Sequence, residues 1–599
     1  MKMIYSIWCS AEITLQTLKV WLLGFIILIS TTSFTGATDL DIATDLSPER
    51  VYVTTDRDFY ISGESILFNV YLFPADESPE RTSRFVYLMF RSSYGSIERF
   101  TLKVNEKKQA SGVIYVPDTL SSGAYEIIAF TNYMRNWGED IFFTKELLVA
   151  NRFDNKLEVF EFEPEEFSQV TDSNGVVIQE SLWDNEISAI NPVRITSPEI
   201  AGRRQKVSVS IENNDTNEKN LKTLDLNVSV FPVRFNQHQN HTYTQRLEKP
   251  LQYTGKFPME DQQVLLTGKL ADKQSGKPVP GARVLMNTPD TVITLAYSIT
   301  KENGEFSFFL LPYYYNRDIY LSVDPSSWSG DFNIIINDRF ELSQKFRAPE
   351  KVKLRISPEE IKRYQDIIRV QKIYQLDNFK PGKDQYVDKG VRPLLYSKPK
   401  FSVLPSLYVE LDDFREIARE LISPLSVRRS QGNYSARMFC TRSSAFLQGS
   451  PVFFVDGIIT WDLNPLITLG SEHIREVQVH NMSWVFGNML FPGIVGIFTY
   501  SEEYRSIGLN RNKAHYYFDS YKTHPVFTPP VYESGPQKDQ NSPDVRLLIY
   551  WNNDVQLDYG GKAEVKFYTG DLPGNYLISV SGLDQDGEFF REKQLITIH

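Results

Sequence analysis

Cysteine is scarce in this chain: Cys9 and Cys440 are the only two among 599 residues. Cys9 falls in an N-terminal segment expected to be removed, so Cys440 stands alone afterwards and no intramolecular disulfide can form. The fold must rest on its apolar cores, and Cys440 reads as a buried or incidental thiol. Histidine is scarce too, with seven residues scattered along the chain. His238 and His241 lie three apart, but in a polar loop without a nearby Cys or acidic partner. His473 and His480 flank a strand and lie too far apart to share a metal. There is no Gly-x-Ser-x-Gly elbow, no His-Glu-x-x-His run and no phosphate loop. Asp584-Gln-Asp-Gly587 lacks the downstream ligands of a calcium loop and reads as a hairpin turn. No catalytic, cofactor-binding or metal-binding residue is therefore assigned, and the chain is not expected to be an enzyme.

Positive charge is in deficit. Lys and Arg total 64 against 75 Asp and Glu, a net charge of −11. That balance argues against a nucleic-acid partner and gives no reason to expect anionic lipid. Long apolar runs are missing as well. Val20-Trp-Leu-Leu-Gly-Phe-Ile-Ile-Leu-Ile29 is short of the roughly 20 residues of a membrane span. Lys19 precedes it and Thr35-Gly36-Ala37 offers small residues for cleavage, so residues 1–37 read as a signal peptide, with an uncleaved anchor as the alternative. No Cys ends the run, so lipoprotein processing is not indicated. The mature chain is expected in the periplasm or at the outer membrane.

What is present favours strands. Hydrophobic content is 41% and aromatic content 13%, with 32 Tyr and 39 Phe, a composition that suits pleated sheet. Lys562-Ala-Glu-Val-Lys-Phe567 alternates strictly between apolar and charged. Val207, Val209 and Ile211 alternate with Ser208 and Ser210, and Leu224, Leu226, Val228 and Val230 with Asp225, Asn227 and Ser229. Period two with one polar face predicts antiparallel sheet with one buried side. Residues 357–376 break the pattern: Ser357-Pro-Glu-Glu360 supplies an N-cap, a first-turn proline and acids, then Ile361, Tyr364 and Ile368 follow at helical spacing. One linking helix is expected there, with polar linkers at about 378–400 and 503–542.

Several segments resemble known modules. Val51 to Tyr71, with its Tyr60-x-x-Gly63-Glu64 turn, together with Gly123-Ala-Tyr-Glu-Ile-Ile-Ala-Phe-Thr131, resembles a macroglobulin-type sandwich of bacterial envelope proteins (residues 46–152). Arg135 and Trp137 at its end read as a strand-end cap. Weaker motifs suggest a second such sandwich at 190–260 and a terminal one at 543–599. Gly276-Lys-Pro-Val-Pro-Gly-Ala-Arg-Val-Leu285 and Asn303-Gly-Glu-Phe306 resemble the carboxypeptidase-regulatory-like sandwich (263–345), with Pro280-Gly281 and Asn303-Gly304 as turns.

Pro451-Val-Phe-Phe-Val-Asp-Gly457, Ile474-Arg-Glu-Val-Gln-Val479, Phe486-Gly487 and Gly493-Ile-Val-Gly-Ile-Phe-Thr499 resemble the plug domain of TonB-dependent receptors (401–502). About 100 residues follow, too few for the barrel of such a receptor. The resemblances imply a mainly β chain: serial Ig- or macroglobulin-like sandwiches plus a small α+β plug-like domain, without a transmembrane barrel. They imply a non-catalytic envelope protein of Bacteroidetes type that binds or assembles with other envelope proteins, a receptor barrel being one candidate. An accessory role in TonB-dependent uptake is one alternative. A macroglobulin-like protease trap without a thioester is another, since Cys440-Thr441-Arg442-Ser443 is not the Cys-x-Glu-Gln run of a reactive thioester.

Overall fold

Strand Lys206–Asn213 buries Val207, Val209 and Ile211 and turns Lys206 and Ser208 to solvent. Its partner strand is Lys562–Tyr568, antiparallel, with Val207 opposite Phe567 and Val209 opposite Val565. The two alternating runs therefore share one sheet, completed by Val193–Thr196. These relations come from a computed structural model. It describes residues 47–599 except 75–81, 152, 155–159, 163–166, 172–176, 182–191, 215–224, 237–240, 243–252, 355, 375–378, 381–391, 397, 510, 512, 520–525, 533–542 and 584–588. The expected signal peptide, His238, His524 and the Asp584–Gly587 turn lie outside the described residues.

The architecture is mainly β, built from packed sheets. The first sandwich sets Arg50–Thr55, Ser65–Phe73 and Gln109–Tyr115 against a larger sheet. That sheet holds Phe143–Ala150, Gly123–Phe130, Phe85–Ser92 and Gly95–Lys103. Phe68, Leu88, Ile127 and Phe130 are among the fully buried side chains between them. Gly63 takes φ 93°, which glycine adopts at no steric cost, and so closes the expected turn.

The second sandwich corrects the expectation of two separate domains at 190–260 and 543–599. Its five-stranded sheet runs Ile200–Ala201, Phe589–Ile598, Gly574–Leu583, Asp225–Pro232, Tyr550–Gln556. Val228 faces Val580 and Val230 faces Ile578 across a central antiparallel pair, all fully buried. Each segment contributes strands to both sheets, and together they enclose one core. Burying each Val, Ile or Phe contributes about 1.5–3 kcal/mol, which separate half-sandwiches would forgo.

The third sandwich packs Glu305–Leu310, Val264–Asp272 and Phe332–Ile336 on Ala296–Ile299, Arg283–Asn287, Arg317–Val323 and Ala514–Phe518. The last strand lies inside the expected 503–542 connector; Phe518 is drawn into the core beside Tyr314 and Ile319. The expected linker at 378–400 also contributes structure: Leu395 and Tyr396 are buried, and the Leu395 amide donates to Ile293 O at 3.0 Å.

The linking helix spans Pro358–Ile373. The Ser357 hydroxyl accepts from the Glu360 amide (3.2 Å) while the Glu360 carboxylate accepts from the Ser357 amide (3.0 Å), a reciprocal cap. Ile361 and Ile368 pack with Phe59 and Ile61 of the first sandwich and with Phe235 and Leu577 of the second. The helix thus fills the junction of both. Among the described residues no helix is long and apolar enough to cross a membrane, and no sheet closes on itself.

The same junction holds buried charge. Asp56, Arg57 and Asp58 are 1–3% exposed. Arg57 donates to Glu64 at 2.6 Å and its guanidinium sits 4.9 Å from the ring centres of Tyr60 and Phe235. Asp58 pairs with Lys145 at 2.7 Å and with Arg591 of the second sandwich at 3.2 Å. Carboxylates Asp56, Asp58 and Glu64 thus balance cations Arg57, Lys145 and Arg591, as desolvated charges require. The Glu64 of the turn motif also accepts from the Ile61 amide at 2.7 Å, so it closes the turn and anchors the arginine.

Burial raises the Asp56 carboxyl from 3.8 to about 6, outweighing the opposing pull of Arg57, Tyr60 and the Leu67 amide. The folded chain then holds a proton that the unfolded chain has already released between about pH 4 and pH 6. The contribution of Asp56 to stability is therefore greatest below about pH 4 and declines as pH rises to about 6. Asp56→Asn keeps the acceptor for Tyr60 and Leu67 without a titrating group. Urea melts at pH 4 and pH 6 should show the variant gaining on the wild type by on the order of 1–3 kcal/mol across that interval; parallel pH profiles would contradict the assignment.

Candidate functional site

The apolar run 451–457 owes its composition to burial on both faces. Strand Val452–Val455 sits inside the sheet Phe401–Val403, Ile474–His480, Ile494–Thr499, Val452–Val455, Ile458–Thr460. Phe453 and Val455 face a core with Phe414, Ile417 and Leu466 of the same α+β module. Val452 and Phe454 face the third sandwich, against Leu285, Ile293 and Leu295. A strand buried on both sides reads as continuous apolar sequence.

Asp456 (φ 47°) and Gly457 (φ 85°) make a tight turn. The Asp456 carboxylate also accepts from the Thr499 amide and hydroxyl, both at 2.7 Å, tying the turn to the end of the neighbouring strand. The Asp290 amide of the third sandwich donates to Asp456 O at 3.1 Å. Gly457 sits against that same loop: a Cβ there would lie 2.6 Å from Thr288 O. At Gly487 (φ 58°) a Cβ would overlap the Tyr297 hydroxyl. The closest neighbours of both glycines belong to the adjoining sandwich.

The histidines do not converge. His473 lies 3.2 Å from Glu472 and 3.5 Å from Glu503. His515 is 2.7 Å from Asp318. His480 is buried between Tyr396 and Trp484, and burial lowers its pKa. Among the described residues no three metal-ligating side chains cluster. Cys440 is buried at a strand end. Arg135 donates to Glu341 O at 3.0 Å while its guanidinium lies 4.7 Å from the Phe257 ring centre, and Trp137 packs edge-on against Tyr133. A cleft of about 400 Å³ opens between the first and third sandwiches, but its Arg99 and Asp338 pair at 2.8 Å.

The most distinctive surface is a hairpin that sequence reasoning passed over. Leu425–Ser430 and Asn433–Cys440 pair antiparallel around Gln431 (φ 49°) and Gly432 (φ 86°), a two-residue turn with both φ positive. Leu425, Ala436 and Met438 anchor it in the module core. The outward side chains include Arg428 and Arg437, and Arg429 and Arg442 are exposed nearby. Residues 421–455 contain these four arginines and no Asp or Glu. Among the described residues no carboxylate pairs with any of the four. Instead Arg437 stacks 4.5 Å from the Phe446 ring centre and Arg429 lies 5.5 Å from that of Tyr434. Phe439 meets Phe446 edge-on at 5.4 Å. Charge patterning was the available signal: an acid-free stretch inside an acidic chain.

No family model matches the chain, and no curated protein matches it. Similar solved structures include alpha-2-macroglobulin of Escherichia coli activated by porcine elastase, at 10% identity and a TM-score of 0.23, covering 92% of this chain and 44% of that one. Salmonella alpha-2-macroglobulin reacted with methylamine overlaps at 10% identity and TM-score 0.22, covering 95% and 40%. The Escherichia coli adhesin FdeC overlaps at 10% identity and TM-score 0.13, covering 50% and 63%. The chain spans less than half the length of these macroglobulins.

Gly457→Ala tests the docking of the α+β module on the third sandwich. It places a Cβ at positive φ and against a carbonyl that cannot rotate away, and should destabilise by about 1–3 kcal/mol in a thermal or urea melt. An unchanged melt would contradict the close approach.

Proposed function

We propose that this chain is a non-catalytic, multi-module binding or assembly protein of the bacterial envelope, with the α+β module as its docking element. One observation carries the reading. The module is fixed to the third sandwich by an apolar core on one side and presents, on and beside its exposed hairpin, four arginines without carboxylate partners among the described residues. Unpaired guanidiniums on a rigid support suit recognition of an oppositely charged partner. The signal-like segment 1–37 supports export to the periplasm or outer membrane. The macroglobulin-like and carboxypeptidase-regulatory-like motifs support a scaffold of Bacteroidetes envelope type.

An accessory role beside a separate TonB-dependent barrel is the second reading. It is favoured by the plug-like order of the runs 451–457, 474–479 and 493–499. A protease trap would have to work without a thioester, because Thr441-Arg442-Ser443 follows Cys440.

Cell fractionation of a tagged chain tests the proposal. It should travel with the periplasm or outer membrane and yield a reproducible partner on cross-linking in intact cells. Recovery in the cytoplasm would overturn the envelope reading, and the absence of any cross-linked partner would overturn the binding reading. A receptor barrel among the partners would select the second reading.

A further inference from the structure

We propose that the outward face of the hairpin Leu425–Ser430/Asn433–Cys440 docks an extended acidic polypeptide segment of a partner protein. The inference rests on the binding reading above and names what the surface takes.

Cross-strand register sets the geometry. Leu425 faces Met438 and Val427 faces Ala436 on the inward side. Ser426 faces Arg437 and Arg428 faces Ser435 on the outward side. Arg428 and Arg437 are thus diagonal neighbours on one face, with Cα atoms about 7–8 Å apart. Each stands opposite a serine, so nothing bulky separates the guanidiniums from an incoming chain. Phe439 and Phe446 continue the face, and Phe446 supports the Arg437 guanidinium by stacking. A guanidinium already held in one orientation loses less freedom on pairing.

The spacing points to the occupant. Carboxylates at alternate positions of an extended strand lie on one side, about 6.6–6.8 Å apart. That matches the diagonal arginine pair, and each guanidinium can grip a carboxylate through two parallel N–H donors. A single phosphate is best held by donors converging in a pocket, whereas Arg428 and Arg437 stand exposed on an open hairpin face. A nucleic acid presents a long phosphate track, whereas this patch is one short hairpin on a chain of net charge −11. The same charge directs an acidic segment: the net negative chain disfavours it elsewhere, while residues 421–455 offer four arginines and no carboxylate.

The probe is a fluorescent decapeptide of alternating Glu and Ser, titrated by anisotropy against the purified full chain at 50 and 200 mM salt. Controls are a Lys–Ser decapeptide, inorganic phosphate as competitor, and vesicles of phosphatidylglycerol and phosphatidylcholine. The Glu–Ser peptide should bind and weaken with salt. It should lose at least tenfold in affinity with Arg428→Ser/Arg437→Ser, two exposed positions whose replacement leaves the circular dichroism spectrum unchanged. The Lys–Ser peptide should not bind. No binding of the Glu–Ser peptide, or equal binding to the double variant, would overturn the proposal. Arginine-dependent binding of the vesicles or of phosphate in preference to the peptide would overturn it in favour of a lipid or phosphate ligand. Cross-linking in cells separates this inference from the broader one. A partner captured equally by wild type and double variant, with no peptide binding, removes the acidic-segment proposal and leaves the binding reading standing.

Discussion

The antiparallel pairing of Asp225–Pro232 with Gly574–Leu583 is the constraint on which the rest of the molecule depends. It closes the second sandwich with strands from opposite sides of the third sandwich, the linking helix and the α+β module. Those elements become an insertion anchored at both ends. Closing so long a loop adds little free energy beyond that of a shorter one, because the entropic cost grows only logarithmically with length. The kinetic consequence is larger. The central strand pair cannot form until the C-terminal strands are present, so this core is non-local and expected to fold late.

From that pair outward, each face has an occupant. Leu226, Val228 and Val230 point into the second sandwich. On the opposite side of the same strand Asn227 donates to Thr54 at 3.0 Å and to the Tyr71 hydroxyl at 2.5 Å in the first sandwich. Trp551 packs with Leu67 and Val113, and Phe589 stacks on Tyr52 at 4.6 Å. The balanced cluster of Asp56, Asp58, Glu64, Arg57, Lys145 and Arg591 lies at the same seam. Removing one partner would leave an uncompensated buried charge, so the cluster fixes the register of the two sandwiches more than it adds to their stability. The α+β module is attached differently, by apolar packing and by glycines that admit backbone and tyrosine contacts. Its remaining surface is free to carry the arginine hairpin.

Much of the local structure was legible in sequence. The alternation from Lys562 to Phe567 shows both strand and faces, and Ser357-Pro-Glu-Glu360 shows where the helix begins. Partner choice was not legible. A period-two strand with one polar face presents the same pattern whichever strand it joins, so Lys562–Tyr568 read as part of a separate domain when its partner is Lys206–Asn213. Ala514–Phe518 was hidden in a polar stretch because an edge strand needs only one apolar side, here ending in Phe518. The burial of Asp56-Arg57-Asp58 was not legible, since nothing local announces that charges will neutralise one another across two sandwiches. The arginine hairpin was visible as a charge pattern, but its turn is Gln431-Gly432 and lacks the Asn-Gly or Asp-Gly signature.

Hydrogen–deuterium exchange on the full chain tests the interrupted sandwich most directly. Amides of Asp225–Pro232 and Gly574–Leu583 should open together, with matched protection and the same denaturant dependence, as members of one cooperative unit. Fast, denaturant-independent exchange in Gly574–Leu583 beside strong protection in Asp225–Pro232 would contradict it.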